Sequence, residues 1–146
     1  TLDWPLLVAI GAAIGIGAAV EQTGLAAALA GGFIGLAGSS TYAALTALFV
    51  TTVLISSMVT NNAAAVIMFP LAVSLAQGAS QSPMPYAIVV LIAASASFLT
   101  PIGYQTNLMV YGPGGYRFTD FLRLGAPLTL LVGVITLTLV PLVWPV

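Results

Sequence analysis

Long apolar runs, interrupted at a few places by uncharged polar clusters, set the rhythm of this chain. The first run, Trp4–Val20, has Pro5 at a first-turn position and Trp4 at its boundary, and Glu21-Gln22-Thr23-Gly24 ends it. It predicts a transmembrane helix over 4–23, read as a span rather than as a signal peptide. The next run predicts only a short interfacial helix over 25–37, because a span needs roughly 20 apolar residues. From Tyr42 to Ala76 no charge occurs for 35 residues. As one straight helix this segment would be about 52 Å long, against a hydrocarbon core about 30 Å thick. The chain must therefore break, and the polar cluster Ser56–Asn62 sits near the middle. Two readings follow. One is a re-entrant hairpin over 42–77 with its tip at 56–62; the other is two complete spans meeting at a membrane surface. Both fit the lengths, and the hairpin fits the tip chemistry better.

A turn-rich stretch, Gln77–Pro85, leads into the apolar run Tyr86–Leu99, which stops at Thr100-Pro101-Ile102-Gly103-Tyr104-Gln105-Thr106-Asn107. Pro101 disfavours helix at the residue before it, and Gly103 loosens the backbone further. The pattern predicts a transmembrane helix over 85–116 broken at 100–107, then an unbroken span over 119–145 despite Pro127 and Pro141. The fold class is thus an all-α membrane protein, a helical bundle with one re-entrant hairpin and one broken transmembrane helix. Arg117 and Arg123 flank the start of the last span. The positive-inside bias puts that loop in the cytoplasm.

Composition supports lipid as the solvent. The chain is 60% hydrophobic and 3% charged, with a mean hydropathy of +1.17, whereas soluble domains carry about 25% charged residues. With no Cys and no His, thiolate metal sites and the commonest general base are absent. The carboxylates Asp3, Glu21 and Asp120 lie far apart in sequence. The chain is not expected to be an enzyme, nor to hold a transition metal or an organic cofactor. A net charge of −1 offers nucleic acid no electrostatic footing.

Helices broken in a membrane expose free backbone groups, and these serve ion and substrate binding. Carbonyls at a helix C-terminus suit Na⁺, and N–H groups at an N-terminus suit an anion. A helix ending at Met58 and another beginning at Ala63, with Thr60, Asn61 and Asn62 in N-cap positions, would present both ends side by side. The plainer alternatives stay open. In one, Ser56 and Ser57 each bond to the carbonyl four residues back; in the other, the Asn pair joins helices. Gly11/Gly15 and Gly31/Gly35 are packing faces at GxxxG spacing, and Glu21 is interfacial.

The segment "TNNAAAVIMFPLA", followed about 30 residues later by "SASFLTPIGYQTNLMVYGPGGY", resembles the C-terminal half of the divalent anion:sodium symporter family. The closer match is to its sulfate-permease-like, sulfur-deprivation-response branch. The resemblance implies one of two inverted repeats, with sodium between hairpin tip and broken-span loop and the anion between the repeats. Sodium would be held by the Ser56 hydroxyl, backbone oxygen at Val59, Asn61, and backbone oxygen near Gly103. Substrate contacts would come from Thr60, Asn61, Asn62, Tyr104 and Gln105. Na⁺ is then a coupling ion and a small divalent anion, sulfate or a dicarboxylate, the cargo. The implied partners are the lipid bilayer, the N-terminal repeat of a longer protein, and a second copy in a homodimer, in a bacterial inner membrane.

Thr-Asn-Asn stands where the family has Ser-Asn-Thr, and Tyr104-Gln105-Thr106 where dicarboxylate carriers have Thr-Pro-Pro, so the anion is not specified. The alternatives are a cation/proton antiporter or arsenite permease of the same superfamily, and a non-transporting structural subunit. An antiporter calls for a carboxylate at the tip or loop, and both lack one.

Overall fold

The computed structural model describes residues 40–145 together with Val8, Ala19 and residues 22–24. The span over 4–23, apart from Val8, Ala19, Gln22 and Thr23, and the interfacial helix over 25–37 lie outside the described residues, as do Glu21 and both GxxxG faces. The described chain is helical: α1 (Thr41–Ser56), α2 (Asn61–Gly78), α3 (Pro83–Ser95), α4 (Gln105–Tyr111) and α5 (Phe118–Val143).

The 35-residue uncharged run does break. α1 stops at Ser56, the turn 57–60 is closed by Met58 and Val59 N–H groups on the Ile55 carbonyl (both 2.9 Å), and α2 restarts at Asn61. Thr60 is the N-cap of α2, its Oγ1 accepting from Ala63 N at 3.3 Å, which satisfies one donor that the helix start leaves free. The other end of the pair is fastened too. The Gln81 side chain donates from Nε2 to Thr41 Oγ1 (2.8 Å) and accepts from the Tyr86 hydroxyl at Oε1 (2.6 Å). The exit of α2 therefore lies against the start of α1, and the two helices form an antiparallel hairpin.

α3 is capped by Ser82 with Pro83 in its first turn and packs against both arms of the hairpin. Tyr86, Val89 and Ala93 of α3 are fully buried, as are Leu45 and Leu48 of α1. On α2 the buried seam is Ala64, Met68, Ala72 and Ala76, a four-residue spacing that puts small side chains on one face and lets the helices approach closely. Thr46 and Thr52 send their hydroxyls back to Tyr42 and Leu48 carbonyls (2.7 and 2.6 Å), so these α1 hydroxyls are satisfied within their own helix.

α3 ends at Ser95, and helix resumes only at Gln105, so the interruption covers 96–104 where the sequence places it at 100–107. The reason is that proline acts upstream. Without an N–H, Pro101 cannot bond back to Ser97, and its ring crowds the preceding turn.

α5 has 26 residues, about 39 Å of helix. Its start is fixed by Arg117 N donating to Asp120 Oδ2 at 2.8 Å. Among the described residues it is the one helix long and apolar enough to cross a membrane, while α1 and α3 are apolar but shorter. Its inward face is Gly125, Thr129, Gly133, Thr136 and Val140, and its outward face carries Leu124, Leu130, Leu131, Val134 and Leu142. Small inside and large apolar outside is the arrangement a helix takes when its solvent is lipid. A Cβ at Gly125 would fall on the Phe98 carbonyl, so only glycine lets α5 lie on the interruption.

Gly125→Ala is expected to destabilise the protein by about 1–3 kcal/mol. Gly78→Ala, whose added methyl meets nothing within 4 Å, should leave stability unchanged or raise it. Melting temperatures of the purified protein in detergent decide the matter: equal values for the two variants would mean that α5 does not rest on residues 98–99.

Candidate functional site

The two adjacent serines of the tip behave differently. Ser57 makes the local bond, Oγ donating to the Val53 carbonyl at 2.8 Å. Ser56, the last residue of α1 and fully buried, turns instead across the bundle. Its Oγ lies 2.6 Å from the Ala94 carbonyl oxygen and 2.5 Å from Ser97 Oγ. Ala94 is in the last turn of α3, where carbonyls lack intrahelical partners. Ser97, also buried, is the second residue of the interruption.

Asn61, half-buried at the first position of α2, completes the cluster. One end of its carboxamide is 2.6 Å from Ser97 Oγ, 3.0 Å from Ser56 Oγ, 3.1 Å from Ala94 O and 3.2 Å from Gly103 O. Gly103 reaches this place because it has no side chain; a Cβ there would stand 2.7 Å from the Ser56 carbonyl oxygen. Thr100 Oγ1 donates to Ser57 O (2.8 Å) and accepts from Gly103 N (3.2 Å). Asn107 Nδ2 donates to Ser97 O (3.1 Å) and Thr100 O (3.3 Å). Thus the carbonyl that Pro101 leaves free is taken by a side chain from the next helix.

Two hydroxyls, one carboxamide and two backbone carbonyls therefore meet where α1 and α3 end and α2 begins. Two helix C-termini bring partial negative charge to the cluster. Among the described residues no group of three His, Cys, Asp or Glu side chains could hold a metal ion. An all-oxygen, uncharged donor set suits a hard cation of low charge rather than a transition metal.

Of the residues that the sequence singles out for sodium, the structure brings together Ser56, Asn61 and Gly103. Val59 is buried in the tip with its N–H on the Ile55 carbonyl, and it makes no polar contact to the cluster. Thr60, Asn62, Tyr104 and Gln105 are exposed. They are the chain neighbours of Asn61 and Gly103. Ser97, Ala94, Thr100 and Asn107 were not singled out. Pro101 holds the signal for one of them, since it frees the carbonyl of the residue four before it, Ser97, which Asn107 then takes.

Comparison with known proteins adds the following. Residues 1–145 match the citrate transporter family, CitMHS. An uncharacterized transporter of Synechocystis is 45% identical over 147 residues, covering 99% of this chain and 24% of that protein. Sodium/sulfate cotransporter 1 of Chlamydomonas reinhardtii is 41% identical over 126 residues, 85% of this chain and 14% of its own length. Sodium-dependent high-affinity dicarboxylate transporter 3 of Caenorhabditis elegans is 26% identical over 140 residues, 93% of this chain and 24% of that protein. The chain thus spans about a quarter or less of these relatives. No solved structure matches.

The neighbouring serines offer a direct test of the geometry. Ser56→Ala removes a buried hydroxyl bonded across the bundle and should cost about 1–3 kcal/mol, whereas Ser57→Ala loses a local bond and should cost about 1 kcal/mol or less. Chemical or thermal unfolding of the two variants checks this; the reverse order would mean that Ser56 does not join the tip to α3.

Proposed function

Because the chain belongs to the CitMHS citrate transporter family, we propose that it supplies one half of the ion and substrate site of a sodium-coupled secondary transporter for a small divalent anion. The family and the named relatives are transporters, and the protein is an integral membrane protein. Sulfate and dicarboxylates are the cargo classes that the relatives' names favour.

The observation that carries the reading is the uncharged oxygen cluster where hairpin tip and interruption meet. In this proposal Na⁺ is held by Ser56, Asn61 and the Gly103 carbonyl, with Ser97 and the Ala94 carbonyl added and the Val59 carbonyl at the rim. A neutral cage favours a monovalent ion, because a divalent one loses far more hydration energy than neutral oxygens return. The anion sits on the exposed side, at the N-terminus of α2 among Thr60, Asn61, Asn62, Tyr104 and Gln105. There the free N–H groups and the adjacent Na⁺ balance its charge. The described tip has no Lys or Arg, so without the cation the anion lacks a full counter-charge. This gives sodium coupling an electrostatic reason.

In the same reading α1 and α2 enter the bilayer as a re-entrant hairpin, since α1 at 16 residues is shorter than the roughly 20 that a span requires. Arg117 and Arg123 mark the cytoplasmic side of a plasma membrane. An inverted N-terminal repeat outside these 146 residues provides the other half-site, the full transporter is a homodimer, and access alternates between the two sides. Asp120 is engaged at the start of α5 and is not part of the cluster, so among the described residues the antiporter alternative has no carboxylate at the site.

Uptake of labelled sulfate, succinate and citrate into vesicles containing the full-length protein, with and without an inward Na⁺ gradient, tests this. Sodium-driven uptake of one of them should be lost in Asn61→Ala and Gln105→Ala variants that still assemble normally. Loss of assembly without any effect of Na⁺ would favour a structural subunit instead.

A further inference from the structure

We infer that the NH₂ group of Asn61 is itself an occupant of the oxygen cluster, and that a cation enters as this carboxamide turns over by half a rotation, presenting its oxygen inward and its NH₂ to the anion. The inference rests on reading the cluster as a cation site.

The argument is a count of protons. Around one end of the amide stand two carbonyl oxygens, Ala94 and Gly103, which only accept, and two hydroxyls, Ser56 and Ser97, each with one proton. If the amide oxygen occupies that end, five oxygens share two protons. Ser97 can donate to the amide (2.6 Å) and Ser56 to Ala94 (2.6 Å), but the Gly103 carbonyl, 3.2 Å away, then faces another acceptor. If the nitrogen occupies it, the network closes. The two N–H groups donate to Gly103 O (3.2 Å) and Ser97 Oγ (2.6 Å), Ser97 donates to Ser56 Oγ (2.5 Å), and Ser56 donates to Ala94 O (2.6 Å). Every inward proton has an acceptor, and each of the four oxygens accepts a bond. A buried polar group left unpaired is strongly unfavourable, so without a cation the nitrogen belongs inside.

A cation reverses the preference. It repels the N–H dipoles and is stabilised by oxygen, and the same atoms that accepted protons become its ligands once Asn61 adds a fifth. The two ends of a carboxamide are nearly alike in shape, so the exchange needs rotation about one side-chain bond and no backbone movement. The opposite end of the amide makes no hydrogen bond to a described residue, and Asn61 is only half-buried between exposed Thr60 and Asn62. With nitrogen inside, the outer end is a carbonyl oxygen, which repels an oxyanion. With oxygen inside, the outer end is a pair of N–H donors. One rotation thus links cation entry to anion affinity.

The test is side-chain amide hydrogen exchange of Asn61 in the ¹⁵N-labelled full-length protein, its signal assigned by loss in Asn61→Asp. It is run in choline chloride and in NaCl, with thermal stabilisation by Na⁺ measured in parallel. The expected result is a protected NH₂ in choline, loss of that protection in NaCl, and renewed protection when sulfate or succinate is added with NaCl. Asn61→Asp, which has oxygen at both ends, should reach half-maximal stabilisation at lower NaCl and should bind the anion more weakly. If Na⁺ stabilises the wild type while exchange stays equal in both salts, the turning amide is wrong and the cation site stands. If Na⁺ gives no stabilisation beyond choline, the cation site itself is wrong.

Discussion

A helix that stops inside an apolar bundle leaves carbonyl groups that water does not reach, and in this protein two such stops face each other. The C-terminal turns of α1 and α3 end side by side, and the Ser56 hydroxyl spans the gap to Ala94. Each interruption then supplies what the other lacks. Thr100 from the second gives a proton to the Ser57 carbonyl of the first, while Asn61 from the first reaches the Ala94 and Gly103 carbonyls of the second. Neither break is self-sufficient, because unpaired backbone groups in a low-dielectric interior cost several kcal/mol each. The glycine at 103, the proline at 101 and the hydroxyl at 56 are therefore parts of one arrangement.

Much of this was legible in the residue pattern, and the parts that were not have identifiable causes. The need for a break between Tyr42 and Ala76 followed from length alone, and the uncharged polar cluster marked its place. Which of two adjacent serines would turn outward from its own helix could not be read, since both fit the local bond equally well; the choice depends on where α3 ends. The second interruption begins four residues earlier than the polar letters suggest, because proline disturbs the turn before it rather than the residues after it. Ser97 carries no signal of its own: it lies in a run of small residues, "AASASF", and only the placement of α3 against the tip gives its hydroxyl a neighbour. For Val59 the resemblance concerned its backbone oxygen, and the tight turn buries the side chain in the core without bearing on that carbonyl.

The packing around the cluster depends on small residues more than on large ones. Apart from Met68 on α2 and Val140 and Pro141 on α5, the buried stripe of α2 and the inward face of α5 are built from alanine, glycine and threonine. In lipid no hydrophobic force presses helices together, so close approach and van der Waals contact take its place. That closeness brings backbone carbonyls within reach of side chains as short as serine.

The clasp at the base of the hairpin has a mechanical consequence. Gln81 ties the far ends of α1 and α2 to each other and to Tyr86 of α3, and Ser56 and Asn61 tie the near ends to the same helix. A lever pinned at both ends has no hinge. Among the described residues the hairpin and α3 are thus held as one block, and the boundary that carries no such tie is the one with α5. There Gly125 and Gly133 meet the loop and the Phe49 ring, on a helix face whose small side chains interlock little with what they touch.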